Sequence, residues 1–176
     1  VNRFANALLK LGVSNGARVA LLLPNLPHLV VGFYGTLKAG GVAVFLTPLE
    51  SPEELTRQLR ESESSVLITL RMWSGLARQV QAGTGIPHVV LADGGEYLPL
   101  FKKWISRWRL RGLDLPGALR WKRWLSGVSP KAPQIGVPSE NLAVIQYTGG
   151  TTSEAKGVML SHQNLVANAI QTRQWM

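Results

Sequence analysis

Residues 147–157 read Tyr-Thr-Gly-Gly-Thr-Thr-Ser-Glu-Ala-Lys-Gly and concentrate groups able to hold an anion. Gly149 and Gly150 let a backbone approach a ligand closely, and successive N–H groups in such a turn form an anion-binding nest. Thr148, Thr151, Thr152 and Ser153 add hydroxyl donors, and Lys156 adds a mobile point charge. The stretch follows Leu-Ala-Val-Ile-Gln at 142–146, an apolar run that reads as a buried strand. A loop of this composition at a strand end can wrap a phosphate group. It is not a Walker A loop, which ends Gly-Lys-Ser/Thr: here Gly157 follows Lys156, and Val158 stands where a magnesium-binding hydroxyl belongs. A bare Gly-Gly-Thr-Thr would be read as a surface turn beside a solvated lysine. The strand before it and the Lys-Gly-Val-Met-Leu-Ser-His after it argue for a ligand.

The elements that must position this loop alternate in type. Phe4, Leu8 and Leu11 form an apolar helical stripe that Gly12 can end. Residues 18–23 are a short apolar run closed by Pro24 and predict a buried strand. A helix is expected over 28–39, a strand over 42–46, and a tight turn between them at Gly40-Gly41. Ser51-Pro52-Glu53-Glu54 combines an N-cap, a first-turn proline and a capping-box glutamate, opening a helix to Glu61. Glu53, Glu54, Glu61 and Glu63 are read as its solvated face. Strands at 65–69 and 88–92 flank a helix at 73–81. A short strand at 158–160 and a helix capped by Ser161 follow the loop. Strands separated by helices of this length predict an α/β fold with a mainly parallel sheet flanked by helices, joined by right-handed crossovers. In such sheets ligands sit beyond the carboxyl ends of strands, where the loop falls.

The full run from Tyr147 to Gly157 resembles the phosphate-binding signature of the adenylate-forming superfamily: acyl-CoA synthetases, adenylation domains and luciferases. It departs from the usual pattern at Ser153, normally glycine, and at Ala155, normally proline. Serine makes a positive φ costlier there, but neither change removes a phosphate ligand. The resemblance extends to Val19-Ala-Leu-Leu-Leu-Pro-Asn, Leu37-Lys-Ala-Gly-Gly-Val-Ala-Val, Ser51-Pro-Glu-Glu-Leu and Ser161-His-Gln-Asn-Leu. The Gly-Gly form with Gln146 before Tyr147 looks most like the long-chain fatty-acid–CoA ligases. The resemblance implies part of a large N-terminal domain whose enzyme joins a fatty acid to ATP as an acyl-adenylate, releases pyrophosphate, and passes the acyl group to coenzyme A. It implies that Thr148, Gly149, Gly150, Thr151, Thr152, Ser153 and Lys156 hold the β- and γ-phosphates, with Thr148 also touching Mg2+. It further implies that the adenine, ribose, metal-binding glutamate and C-terminal lysine segments lie downstream, so that this chain is an N-terminal fragment. Adenylation of an aromatic or amino acid is the alternative chemistry.

The rest of the sequence sets bounds. Its 176 residues suffice for a domain with a sizeable core. There is no cysteine, and His28, His88 and His162 are too scattered for a ligand cluster. No apolar run is long enough for a membrane-spanning helix. Three parts are expected: an α/β subdomain at 1–97, a basic, tryptophan-rich insertion at 98–139, and the strand, loop and helix at 140–176. Between 99 and 131, nine bases face Asp114 alone, so this stretch carries eight of the nine net positive charges. Lys102, Lys103, Arg107, Trp104, Trp108, Trp121 and Trp124 are the candidate contacts to an anionic membrane surface, where rings sit among headgroups and bases meet lipid phosphate. A helix packed on the domain explains the same pattern, and a single-stranded nucleic acid is the least favoured partner. A binding module using this segment is the competing class of function. The expected location is cytoplasmic, with a peripheral position on the inner face of a membrane if the segment meets lipid. Tyr147 and His162 admit both a structural and a substrate-facing role.

Overall fold

The computed structural model describes residues 1–97, 113–148 and 155–175. Seven strands form one sheet in the order β5-β4-β3-β1-β2-β6-β7. They are β1 (Arg18–Leu22), β2 (Val42–Leu46), β3 (Val66–Leu70), β4 (His88–Ala92), β5 (Leu119–Arg120), β6 (Leu142–Tyr147) and β7 (Gly157–Ser161). Every neighbouring pair is parallel except β6 and β7, which are antiparallel. The mainly parallel α/β sheet expected from the alternation of elements is therefore present.

Strand residues divide by parity between two cores, because successive side chains leave a strand on opposite faces. Val19, Leu21, Ala43, Val66, Ile68 and Val90 pack on one side with Phe4, Ala5 and Leu8 of α1 (Asn2–Lys10). On this side α1 packs on α2 (Pro27–Lys38). Ala20, Leu22, Val44, Leu67, Leu91 and Ile145 pack on the other side with Leu55 and Leu59 of α3 (Pro52–Glu61) and Ala77 and Val80 of α4 (Ser74–Thr84). Burial on both faces explains why β1 to β4 read as continuous apolar runs instead of alternating ones. The α2-to-β2 turn is tight. Gly40 has φ +78°, and a Cβ on Gly41 would lie 3.0 Å from the Ala17 carbonyl oxygen. Both positions therefore require glycine.

The α3 helix starts as its sequence predicts: Ser51 Oγ accepts from the Glu54 N–H at 3.2 Å, with Pro52 in the first turn. The reciprocal half of the capping box does not form. The Glu54 carboxylate turns along the helix to Arg57, accepting from Nη2 at 2.6 Å and Nε at 2.9 Å. Glu61 accepts from Arg57 Nη1 at 2.7 Å. Glu53, Glu61 and Glu63 are exposed, as a solvated face requires, whereas Glu54 is half-buried and is tied with Glu61 to Arg57 in an ion-pair network. The Arg57 hydrogen bond, helped by that of Gln58 and opposed by burial, holds the Glu54 carboxyl below its ordinary pKa.

The basic, tryptophan-rich stretch is partly built into the fold. Residues 113–131 include β5, which pairs with β4, and a short helix α5 (Trp121–Trp124). Trp121 is 2% exposed; its ring lies 5.0 Å from Phe4 and 5.1 Å from His28. Trp124 meets Phe4 edge-on at 5.3 Å. The expectation that Trp121 touches a membrane is corrected: its ring is spent in the core under α1 and α2, where burying so large an apolar surface outweighs any interfacial gain. Trp124 is only partly exposed and packs on the same cluster. Asp114 pairs with Arg71 and Arg120, anchoring this stretch beside the end of β3. Trp104, Trp108, Lys102, Lys103 and Arg107 lie outside the described residues. Among those described, no helix is long and apolar enough to cross a membrane.

Two outcomes follow. Trp121→Ala should lower unfolding free energy by about 3–5 kcal/mol, the usual range for emptying a buried aromatic site. Urea denaturation should show a smaller loss for Trp124→Ala. The Glu54 network should strengthen the protein above the ordinary glutamate range and lose that contribution as the pH falls through the lowered pKa. Unfolding midpoints of the native protein and Glu54→Gln should therefore differ at pH 7 and converge in acid; a gap that persists unchanged to pH 3 would assign the effect to packing.

Candidate functional site

The candidate site is the turn between β6 and β7. β6 runs parallel to β2, with Ala43 opposite Val144 and Phe45 opposite Gln146. Its end at Tyr147 therefore lies on the same carboxyl edge as the ends of β1, β2 and β3. β7 returns antiparallel, pairing Gly157 with Tyr147. The main chain closes the base of the turn: Thr148 N–H donates to the Lys156 carbonyl at 3.0 Å. The Thr148 hydroxyl lies 3.4 Å from both the carbonyl oxygen and the amide nitrogen of Lys156. Gly157 suits this crossing, since a Cβ there would meet Ile145 at 3.1 Å and the Tyr147 ring at 3.4 Å.

Two of the seven expected phosphate ligands, Thr148 and Lys156, are thus brought face to face at the mouth of the turn. Both are exposed, and Lys156 makes no ion pair with any described residue. An exposed lysine and an exposed hydroxyl residue, joined through their main chains at a sheet edge, can meet an incoming polyanion without first breaking an ion pair to a described residue. Gly149, Gly150, Thr151, Thr152 and Ser153 lie outside the described residues, as does Glu154. No cluster of three His, Asp or Glu able to hold a metal occurs among the described residues. Thr148 Oγ1 is the one oxygen among the expected metal contacts that the structure describes.

Tyr147 faces away from this mouth. Its phenol donates to the Gln58 carbonyl of α3 at 3.0 Å, and its ring packs against the core beneath α3. Burial, reinforced by the Glu61 carboxylate, pushes its pKa above the ordinary value, so it remains a protonated donor at neutral pH. Arg57 reaches the other limb, donating from Nη2 to the Ala155 carbonyl at 2.8 Å. Neither contact is visible in the loop sequence. The only hint is the acid–base spacing Glu54-Arg57-Glu61 on one helix face.

His162 opens α6 (His162–Trp175), and its N–H donates to the Asn141 carbonyl at 3.1 Å. The helix start is held by Ser161, whose Oγ accepts from the Asn164 N–H at 3.2 Å and donates to Asn164 Oδ1 at 2.9 Å. The N-cap expected at Ser161 is therefore formed, and the main chain of His162 has a structural partner. An open cleft lined by Asn15, Arg18 and Asn141 lies at the amino ends of β1, β2 and β6. It is on the opposite edge of the sheet from the turn and shares no residue with it.

Known proteins are similar to this chain in both sequence and architecture. The family model described as AMP-binding enzyme matches residues 1–176. A long-chain-fatty-acid–CoA ligase of Bacillus subtilis (strain 168) is 34% identical over 173 residues, covering 94% of this chain and 31% of the relative. The long-chain-fatty-acid–CoA ligase of Salmonella typhimurium is 36% identical over 172 residues, covering 93% and 30%. The chain thus spans a little under a third of the length of these relatives. Among solved structures, the anthranilate CoA ligase AuaEII in complex with anthranoyl-AMP superposes with a TM-score of 0.78 at 26% identity, covering 96% of this chain and 29% of that one. A long-chain-fatty-acid–CoA ligase from Archaeoglobus fulgidus gives 0.76 at 27% identity, covering 97% and 30%. With a family match along its whole length and a sheet that superposes on these ligases, the chain belongs to the AMP-binding, adenylate-forming enzyme family.

Proposed function

We propose that this chain supplies the triphosphate-gripping part of an ATP-dependent fatty-acid–CoA ligase. The observation that carries the reading is the closed base of the β6–β7 turn. It sets Thr148 and Lys156 side by side on the carboxyl edge, with the lysine unpaired among the described residues. The fatty-acid assignment draws on the long-chain ligases among the relatives and on the Gln-Tyr-Thr-Gly-Gly form of the loop. The aromatic adenylate bound by AuaEII makes an aromatic acid the competing substrate.

In this reading a fatty carboxylate oxygen attacks the α-phosphorus of ATP. The bond to the bridging oxygen breaks, and pyrophosphate leaves with that electron pair. The thiol of coenzyme A then attacks the acyl carbon and displaces AMP. The first step asks the protein for alignment and charge compensation instead of covalent chemistry. Lys156 would neutralise charge building on the departing pyrophosphate. Thr148 and, by their sequence, Gly149, Gly150, Thr151, Thr152 and Ser153 would donate to the β- and γ-phosphate oxygens. Mg2+ supplies charge neutralisation between phosphate oxygens in nucleotide chemistry. Among the described residues, Thr148 Oγ1 would be its contact.

A peripheral contact with an anionic membrane would place the enzyme beside its substrate. It rests on Lys102, Lys103, Trp104, Arg107 and Trp108, outside the described residues, and on the partly exposed Trp124; burial excludes Trp121.

In the whole enzyme, Lys156→Ala should slow fatty-acid-dependent ATP–pyrophosphate exchange by about 10²–10³-fold, the scale of one lost transition-state donor. Exchange tested across carboxylates of different length should favour long chains; exchange with aromatic or amino acids alone would transfer the assignment to the competing substrate. The 176-residue chain by itself should form no acyl-CoA from ATP, fatty acid and coenzyme A, because it spans only about 30% of its relatives. Product formation by the isolated chain, followed by thioester detection, would overturn that expectation.

A further inference from the structure

We propose that Arg57 of α3 is a positioning residue for the triphosphate site: it braces the exit limb of the β6–β7 turn and so aims Lys156. The inference rests on the phosphate-binding reading of the turn and adds a residue far away in sequence. Arg57 Nη2 donates to the Ala155 carbonyl at 2.8 Å, immediately before Lys156. The entry limb is tied to the same helix one residue further on, where the Tyr147 phenol donates to the Gln58 carbonyl at 3.0 Å. That carbonyl also accepts the helical N–H of Ser62 at 2.9 Å, so its two lone pairs serve helix and turn together. The two limbs are therefore pinned to adjacent residues of one rigid element.

The brace is built to hold its shape. Glu54 engages the guanidinium fork through both oxygens, at 2.6 and 2.9 Å, and Glu61 takes Nη1 at 2.7 Å. Gln58, itself buried, donates its amide to Glu54 Oε1 at 2.8 Å, which fixes the carboxylate as well. A planar fork held by two carboxylates loses little further freedom when it takes a carbonyl. The carboxylates also cancel the arginine charge locally, so Arg57 acts on the phosphates through Ala155 and Lys156 and not as a direct ligand. Lysine could not reproduce the arrangement, since a single ammonium cannot grip Glu54 bidentately and still reach Ala155.

The test uses the whole enzyme and separates its two half-reactions. Only the first, adenylation, involves the triphosphate tail; the second, transfer from preformed acyl-adenylate to coenzyme A, does not. Arg57→Ala should lower kcat/KM for ATP in pyrophosphate exchange by about 10–100-fold, the cost of misplacing a reacting group by roughly 1 Å. Thioester formation from supplied acyl-adenylate should stay within about twofold, and Arg57→Lys should not restore adenylation. Tyr147→Phe, acting on the other limb, should impair the same half-reaction less severely. Equal loss in both half-reactions, or full adenylation by Arg57→Ala, would overturn the brace. A native enzyme that exchanges no pyrophosphate with any carboxylate would instead remove the underlying functional reading.

Discussion

The main-chain bond from Thr148 N–H to the Lys156 carbonyl, 3.0 Å long, is what the site depends on. It converts the end of a parallel strand into the mouth of an antiparallel hairpin. Parallel neighbours require a crossover of many residues, whereas an antiparallel return needs only a short turn. By appending β7 antiparallel to β6, the chain can leave the carboxyl edge and come back to it within a few residues. The main chains of Thr148 and Lys156 then face each other across one rung of a ladder. The spacing of their backbones is set by strand pairing.

That rung is supported from below and from the side. Below it, Ile145 joins the core shared with Leu55, Leu59 and Leu67, so β6 cannot shift register without exposing apolar surface. From the side, α3 contributes the Gln58 carbonyl and the Arg57 guanidinium to the two limbs. A single helix thus couples the packing of the sheet to the placement of the turn. The ion-pair network on α3 would be worth little as an isolated surface feature. Its significance lies in where it directs the arginine.

Much of this was legible in the linear order of residues. The strands at 42–46 and 88–92 agree with the structure residue for residue, because buried parallel strands are short apolar runs bounded by turn-formers. The start of α3 was legible because Ser51-Pro52 is a strong local signal. Other features were not. Trp121 reads as interfacial because bases surround it, yet it is buried against Phe4, more than a hundred residues earlier in the chain. β5 is two residues long and carries no periodic signal; it exists because β4 offers an open edge. Glu54 and Glu61 look like ordinary solvated acids until Arg57 gathers them.

The sequence alone determined the class of fold, the family resemblance and the chemistry available in the turn, because these depend on residue types at short spacing and on local backbone preferences. Only the tertiary structure decided which side chains serve that chemistry from a distance. Arg57 and Ala155 lie 98 positions apart, and Gln58 and Tyr147 lie 89. Such contacts arise only when α3 and the end of β6 are packed together on one face of the sheet, and no local pattern encodes that event.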